Sequence, residues 1–249
     1  MFIDAHIHLG MFKALEPTLM CAFLHQIMPV AVSTTLKEAT DLIETLDKSS
    51  YQIPVFVGIH PWFIAKDNSL YLFEKLLLSK LVVGIGECGL DNKIDIPLKE
   101  QLELLDYQLN LAASYHLPVN LHVRGFHGQL HKILKSYQDR VVGIVHNTTF
   151  SKEVCKGYLD LGYKLSFGHH ILFNQDKLNQ VLSKVGISNI LLETDFDYEH
   201  TGPYDETLLI KEYQYLSSSF KLELQRVKEQ LADNFYCVIG KEHEFCIHR

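Results

Sequence analysis

The sequence lacks the features of an exported or membrane-embedded chain. Although 47% of its 249 residues are hydrophobic, no apolar run reaches the roughly 18 residues that a membrane-spanning helix needs. The start, MFIDAHIHLG, places Asp4 and His6 where a signal peptide would need a basic start and an apolar stretch. The five cysteines are scattered and form no Cys-x-x-Cys pair, which is typical of a reduced protein without a disulfide framework. We therefore expect a cytoplasmic protein with no membrane partner.

Basic side chains are also scarce. The chain has 23 Lys and Arg against 30 Asp and Glu, and its net charge is −7. This balance disfavours a protein that coats nucleic acid non-specifically, because contacts with the phosphate backbone depend on basic side chains. It does not exclude a nuclease, because acidic residues that bind metal ions contribute to the same total.

The sequence contains no low-complexity run, no Gly/Ser linker and no block of charge. We therefore expect one domain over residues 1–249, with a flexible tail at 241–249. Short β-rich runs alternate with helix-like stretches, clearest at 98–115, where leucines recur at helical spacing. Helix starts are predicted at residues 33–35, at Ser151 and at residues 203–205. Strands are predicted at 2–8, 29–34, 53–59, 81–87, 118–123, 141–146, 163–168 and 189–193.

Eight strands alternating with helices are the pattern of a (β/α)8 TIM-type barrel of the α/β class. An open doubly wound sheet is the alternative. That fold more often carries a Gly-rich phosphate loop after its first strand, and HLGMFKALEP is not such a loop. In a barrel, the functional residues lie at the carboxyl ends of the strands.

Seven of the eight predicted strands end in, or lead into, imidazole or carboxylate side chains. These residues are His6, His8, His60, Glu87, His122, His146, His169, His170, Glu193 and Asp195. Because strand side chains alternate between faces, His6 and His8 share one face of the first strand. Imidazole and carboxylate side chains gathered at one face of a barrel predict a metal site.

Several of these residues also have simpler interpretations. His60 precedes a proline and could only close a turn, and His122 could be a hydrogen-bonded core histidine. Asp195 could cap a helix, since Asp is favoured there. Glu87 is harder to explain without a partner, because a buried carboxylate is costly unless it is paired or binds a cation.

Six sequence motifs, taken together, resemble the TatD-like DNase family. They are DAHIHLG, GIHPW, GIGECGLD, LHVRG, the histidine at 146 and LLETDFD, and they occur in the family's order and spacing. Members of this family are metal-dependent hydrolases built on an amidohydrolase-type barrel. The resemblance extends from Phe2 to about Asn234.

The resemblance implies a site for two divalent ions, Mg²⁺, Mn²⁺ or Zn²⁺. The first ion would be bound by His6, His8 and Asp195, and the second by His122 and His146. Glu87 resembles the family's bridging carboxylate. Mixed imidazole and carboxylate ligands suit borderline metals and tolerate Mg²⁺, so the residue types agree with this assignment.

The resemblance also implies a reaction. Two metal ions can activate a water and stabilise the leaving oxygen of a phosphodiester. Asp195 would be both a ligand and the candidate base, while His60 and Arg124 would bind the phosphate. Arg124 shares the strand parity of His122 and could offer its planar fork to a phosphate oxygen. The expected activity is that of a 3′-5′ exodeoxyribonuclease acting on DNA, with RNA as an alternative substrate.

The sequence departs from the family pattern at positions that are expected to contact the substrate. HNTTFS stands where relatives usually have H-C-F-S-G. Trp62, the single tryptophan, could stack on a base or could only pack in its loop. Asp197 adds an acidic side chain that could repel a long polyanion. No departure removes an expected metal ligand.

Two other functions remain open. The first is a metal-dependent amidohydrolase, lactonase or phosphoester hydrolase acting on a small molecule, since one barrel can host many chemistries. Many dinuclear relatives of that kind bridge their metals with a modified lysine at the end of strand four, where this chain has Glu87. The second is a non-catalytic, metal-stabilised binding partner, which the intact ligand set disfavours.

Overall fold

The computed structural model describes residues 1–66, 70–173, 175–197, 203–240 and 245. Eight parallel strands form one sheet in which neighbours follow chain order. This arrangement, with helices between the strands, is the predicted (β/α)8 barrel. The strands are β1 (Phe2–Ile7), β2 (Ile27–Val32), β3 (Val55–Val57), β4 (Val82–Asp91), β5 (Val119–Arg124), β6 (Gly143–Val145), β7 (Lys164–Phe167) and β8 (Ile190–Leu192).

Helices follow the strands and cover the outside of the sheet. In the described part of the chain these are α1 (Leu15–Leu24), α2 (Leu36–Asp47), α3 (Leu70–Leu76), α4 (Leu98–Tyr115), α5 (His127–Ser136), α6 (Lys152–Asp160), α7 (Gln175–Val185), α8 (Glu206–Phe220) and α9 (Leu224–Ile239). Within the described residues, no helix combines the length and the apolar character needed to cross a membrane.

The strands are buried on both faces. Every residue of β1, β2 and β4 is buried, because one face points into the barrel and the other lies beneath the helices. The predicted helix at 98–115 coincides with α4. The predicted helix starts are confirmed at three N-caps, where the side chains of Thr35, Ser151 and Asp205 accept hydrogen bonds from backbone N–H groups.

The first and last strands of the barrel meet through hydrogen bonds between distant parts of the chain. The backbone N–H of Asp195 donates to the carbonyl of His6 over 3.0 Å. Thr194 donates its backbone N–H and its hydroxyl to the buried carboxylate of Asp4, over 2.9 and 2.7 Å. The first acidic residue of the opening motif therefore holds the barrel closed and places Asp195 beside the end of β1.

The prediction that strand four ends at Glu87 was wrong. β4 continues to Asp91, and Gly89, Leu90 and Asp91 pair with the end of β5. A register irregularity precedes this pairing, and such irregularities re-aim side chains. Gly89 is needed there because a Cβ atom would lie 1.9 Å from the carbonyl oxygen of His122. Glu87 consequently projects from within β4 and is almost fully buried.

The predicted flexible tail at 241–249 lies outside the described residues, apart from Phe245.

Candidate metal centre

The six residues predicted as metal ligands come together at the carboxyl end of the barrel. They come from five strands or the segments directly after them, and they are His6, His8, Glu87, His122, His146 and Asp195. The parallel order of the strands brings these ends to one face although the residues are far apart in sequence. His170 lies apart from this set, with Nε2 2.8 Å from the carbonyl oxygen of Thr148.

The first group consists of His6, His8, Asp195 and one oxygen of Glu87. The Nε2 atoms of His6 and His8 lie 3.3 Å apart. Glu87 Oε2 lies 3.5 and 3.4 Å from these two nitrogens, and Asp195 Oδ1 lies 3.7 and 3.4 Å from them. The two imidazole nitrogens therefore lie at nearly equal distances from both carboxylate oxygens, and the atoms of His6, His8 and Glu87 form a compact potential metal-binding group.

The second group uses the other oxygen of Glu87. Glu87 Oε1 lies 2.9 Å from both His122 Nδ1 and His146 Nε2, and these two nitrogens are 3.2 Å apart. His60 Nε2 lies 3.4 Å from the same oxygen. The two carboxylate oxygens of Glu87 thus face two different sets of imidazoles.

The donor atoms fit a divalent ion. Four ligands held about 2.0–2.2 Å from Zn²⁺ in a tetrahedral arrangement are separated by roughly 3.3–3.6 Å. The separations of 3.3–3.7 Å between the imidazole nitrogens, and from these nitrogens to the two carboxylate oxygens, are close to this spacing. Imidazole nitrogens and carboxylate oxygens are also ligands of Mn²⁺ and other borderline ions. The residues present are therefore suited to hold a metal.

Opposite charges stabilise one another in this buried site. Burial alone would raise the pKa of Glu87, but the imidazoles of His60, His146 and His122 hold the pKa well below its usual range. Burial likewise disfavours a charged His8, yet the carboxylates of Asp195 and Glu87 raise its pKa to about 9. The same negative field would attract a divalent cation in place of protons.

The outward-facing nitrogens of three histidines have oxygen partners. His6 Nδ1 lies 3.1 Å from Asn120 Oδ1, and His8 Nδ1 lies 3.2 Å from the carbonyl oxygen of Val32. His122 Nε2 lies 3.2 Å from Asp91 Oδ2. An N–H donated outward leaves the inward nitrogen with a free lone pair, which is the form a metal ligand requires. Sequence reasoning missed Asn120 and Asp91, although Asn120 shares the strand parity of His122.

His146 and Asp195 are connected through the loop that departs from the family pattern. His146 Nδ1 lies 3.5 Å from Glu193 Oε1, which accepts a 2.6 Å hydrogen bond from the backbone N–H of Asn147. The amide of Asn147 donates to Asp195 Oδ2 over 3.0 Å. Asn147 therefore links the ends of β6 and β8.

The three residues predicted on the substrate side line a cavity of about 480 Å³ above these groups. His60 is buried, and burial lowers its pKa to about 4, so that the ring is neutral near pH 7. Arg124 is exposed on the cavity wall. Trp62 is half-exposed and anchored, because its Nε1–H donates to Asp91 Oδ2 over 2.7 Å. Asp197 also lines the cavity.

Relatives and solved structures agree with this architecture. The chain is 33% identical over 204 residues to an uncharacterized metal-dependent hydrolase, YjjV, of Escherichia coli, covering 78% of each chain. The crystal structure of the Escherichia coli YjjV protein, a TatD homolog, superposes with a TM-score of 0.85 at 28% identity, covering 96% of this chain and 98% of that one. A Pantoea protein named 3′-5′ ssDNA/RNA exonuclease TatD is 33% identical over 147 residues, 55% of each chain.

The profile of the family described as TatD related DNase matches residues 3–240. The match includes the ends of all eight strands, where the imidazoles and carboxylates converge. The chain therefore belongs to the TatD related DNase family, a family of metal-dependent hydrolases.

Proposed function

We propose that this chain hydrolyses phosphodiester bonds as a 3′-5′ exodeoxyribonuclease that uses two divalent metal ions. The observation that carries the proposal is the position of Glu87. Its two carboxylate oxygens face separate groups of imidazoles at the floor of a cavity that Arg124 lines. A carboxylate shared in this way suits a pair of metal ions.

In the proposed site, His6, His8 and Asp195 would hold one ion, His122 and His146 would hold the other, and the carboxylate of Glu87 would be shared between them. When bound, the ions supply Lewis acidity and an activated water, the chemistry that phosphodiester hydrolysis requires. Mg²⁺, Mn²⁺ and Zn²⁺ are the candidate ions.

The other residues position the substrate and move protons. Asp195 accepts the proton of the attacking water at its carboxylate, which Asn147 orients through Oδ2. Arg124 directs its guanidinium fork to a phosphate oxygen. His60, neutral near pH 7, forms a hydrogen bond with the same phosphate without adding charge. Trp62 stacks on a base at the half-exposed rim.

Two further facts support a nucleic-acid substrate. The Pantoea relative is named as an exonuclease of single-stranded DNA and RNA. The residue of strand four that faces both groups of imidazoles is also the carboxylate Glu87, whereas many small-molecule amidohydrolases use a modified lysine on this strand.

A small-molecule substrate is the second candidate. The cavity volume of about 480 Å³ lies in the range of roughly 300–1,000 Å³ that small-molecule sites occupy. Asp197 adds negative charge to its lining, which favours a short or neutral ester, amide or lactone over a long polyanion.

Degradation of end-labelled DNA decides between these candidates. Single-stranded and duplex DNA, labelled at either end, would be incubated with the chelator-stripped protein and Mg²⁺, Mn²⁺ or Zn²⁺. Asp195→Asn should abolish cleavage, whereas Asp95→Asn, at an exposed acid, should leave it unchanged. Metal-dependent loss of nucleotides from the 3′ end is the expected result. Intact DNA in the presence of bound metal would reject the nuclease and favour the small-molecule hydrolase.

A further inference from the structure

A second group of potential metal ligands lies outside the catalytic cavity. Cys21 lies on α1, His25 caps the end of that helix, and Glu206 is the first residue of α8. Each offers a ligand atom, and these atoms all lie within 4.8 Å of one another. None of the three lines the cavity described above.

Glu206 directs one carboxylate oxygen at each of the other two side chains. Its Oε2 lies 3.4 Å from Cys21 Sγ, and its Oε1 lies 3.6 Å from His25 Nε2. The spacing of four residues places Cys21 and His25 on the same side of α1, since residues i and i+4 are neighbours on a helix. Glu206 reaches them from a helix 185 residues further along the chain.

The hydrogen bond of its other nitrogen fixes which nitrogen of His25 is available to a ligand. His25 Nδ1 lies 3.0 Å from the carbonyl oxygen of Cys21, and a carbonyl only accepts hydrogen bonds, so Nδ1 carries a proton. In the neutral ring, Nε2 then points a lone pair towards Glu206. A cation placed between Nε2 and the Glu206 carboxylate would accept a lone pair from each of them.

Two carboxylates, those of Asp205 and Glu206, create a negative electrostatic potential around Cys21. Burial and then the carboxylates of Glu206 and Asp205 raise the pKa of the Cys21 thiol. Its S–H therefore remains protonated and donates to Glu206. The carboxylates close to the sulfur also attract a divalent cation.

We propose that Cys21, His25 and Glu206 form a second, peripheral binding site for Zn²⁺ or a similar borderline divalent ion. Thiolate sulfur, imidazole nitrogen and carboxylate oxygen are all zinc ligands. The side chain of His25 is 44% exposed and that of Glu206 20% exposed, so water can complete the coordination. On binding, the Cys21 S–H bond breaks, the sulfur keeps the electron pair and binds the metal, and the proton passes to solvent.

Such an ion would tie α1 to the beginning of α8. α1 follows the first strand in the chain and α8 follows the last, so the site would link the segments that come after the two strands whose ends Asp4 and Thr194 join. Its role is therefore structural, and it is independent of the substrate that the catalytic cavity accepts.

Cobalt(II) distinguishes this site from the catalytic centre. The six proposed catalytic ligands are imidazoles and carboxylates, so a sulfur-to-cobalt charge-transfer band in the near ultraviolet reports only on a cysteine ligand. The chelator-stripped chain would be titrated with Co²⁺, and we expect a band that saturates at one thiolate-bound ion per chain. Cys21→Ser should abolish the band. Cys237→Ser, which alters an exposed cysteine on α9, should leave it unchanged.

A variant of Glu206 tests whether the site needs all three side chains or only the Cys21 and His25 pair on α1. Glu206→Gln should weaken cobalt binding at least about tenfold, because even partners outside the ligand shell contribute about 10–100-fold to affinity. Wild-type protein provides a second test, in which Zn²⁺ should protect Cys21, but not Cys237, from alkylation mapped by mass spectrometry. Absence of the band in wild type, its survival in Cys21→Ser, unchanged affinity in Glu206→Gln, or unprotected Cys21 would each overturn the proposal.

Discussion

Asp91 accepts hydrogen bonds from both His122 and Trp62 through a single carboxylate oxygen. Oδ2 lies 3.2 Å from His122 Nε2 and 2.7 Å from Trp62 Nε1. The other oxygen, Oδ1, accepts from the backbone N–H of Lys93 over 2.7 Å. Asp91 thus connects a proposed metal ligand to the aromatic side chain at the cavity rim.

Asp91→Asn should lower the affinity of the second metal position by about 10–100-fold, the usual cost of losing an outer hydrogen-bond partner. The amide can turn its N–H groups towards His122 Nε2. This would favour the tautomer with the proton on Nδ1, the nitrogen that is proposed to bind the metal. Calorimetric titration of the chelator-stripped protein with Mn²⁺ would measure the loss. Asp95→Asn, at an exposed acid four residues away, should bind as wild type does. Equal affinities in both variants would refute this positioning role.

Glu87→Ala should remove metal and activity together. Glu87 faces both groups of imidazoles, so we expect at least one ion fewer per chain and a loss of hydrolysis beyond the roughly 100-fold range of outer partners. Elemental analysis and turnover on the same preparation would show both effects. Glu103→Ala, an exposed change on α4, is the control. Wild-type turnover in Glu87→Ala would be incompatible with a bridging carboxylate.

Arg124→Gln should weaken substrate binding and leave metal content unchanged. A charge-assisted hydrogen bond contributes about 1.5–3 kcal/mol, so KM for a DNA substrate should rise roughly 10–100-fold. Arg124→Lys should recover only part of this, because Lys lacks the planar fork. Arg140→Gln, at an exposed arginine that binds the Ser136 carbonyl on α5, should not change KM. An unchanged KM in Arg124→Gln would show that Arg124 does not contribute to substrate binding.

Glu212 makes stability depend on pH. Both of its carboxylate oxygens are buried without a hydrogen-bond partner in the described structure, and burial raises its pKa well above 4.5. The folded chain therefore holds this proton more tightly than the unfolded chain does. The stabilisation is complete below pH 4.5 and decreases as the pH rises towards the folded-state pKa.

Glu212→Gln should consequently flatten the decline in stability as the pH rises above 4.5. Because the variant has no buried charge without a partner, its free energy of unfolding at the higher pH should exceed that of the wild type by about 1–3 kcal/mol. Urea unfolding of the chelator-treated protein at several pH values provides the measurement. Glu44→Gln, at an exposed acid on α2, should retain the wild-type pH dependence. A variant of Glu212 that also retains it would show that this proton is not the cause.

The convergence of the six proposed ligands could be predicted because the alternation of side chains between the two faces of a strand depends only on the local sequence. His6 and His8 share a face whatever the rest of the chain does, and a parallel barrel brings the carboxyl ends of its strands together. The roles inferred for these residues remain predictions, as do those of His60, Arg124 and Trp62. Their shared position at one cavity is what the structure adds.

The outer partners could not be predicted in the same way. Asp91 was missed because strand four was expected to end at Glu87, which placed residue 91 in a loop. Only pairing with β5 extends β4 to Asp91. The group of Cys21, His25 and Glu206 depends on contact between α1 and α8, which no local pattern encodes.

The closure of the barrel by Asp4 and Thr194 has a consequence for the order of events during folding. These residues are 190 positions apart, so their contact carries a large loop-closure cost, and contacts of this kind slow folding. His6 and Asp195 face each other only after that contact forms. A newly synthesised chain must therefore emerge almost completely before the proposed group of His6, His8 and Asp195 is complete, so this part of the site waits for the last strand.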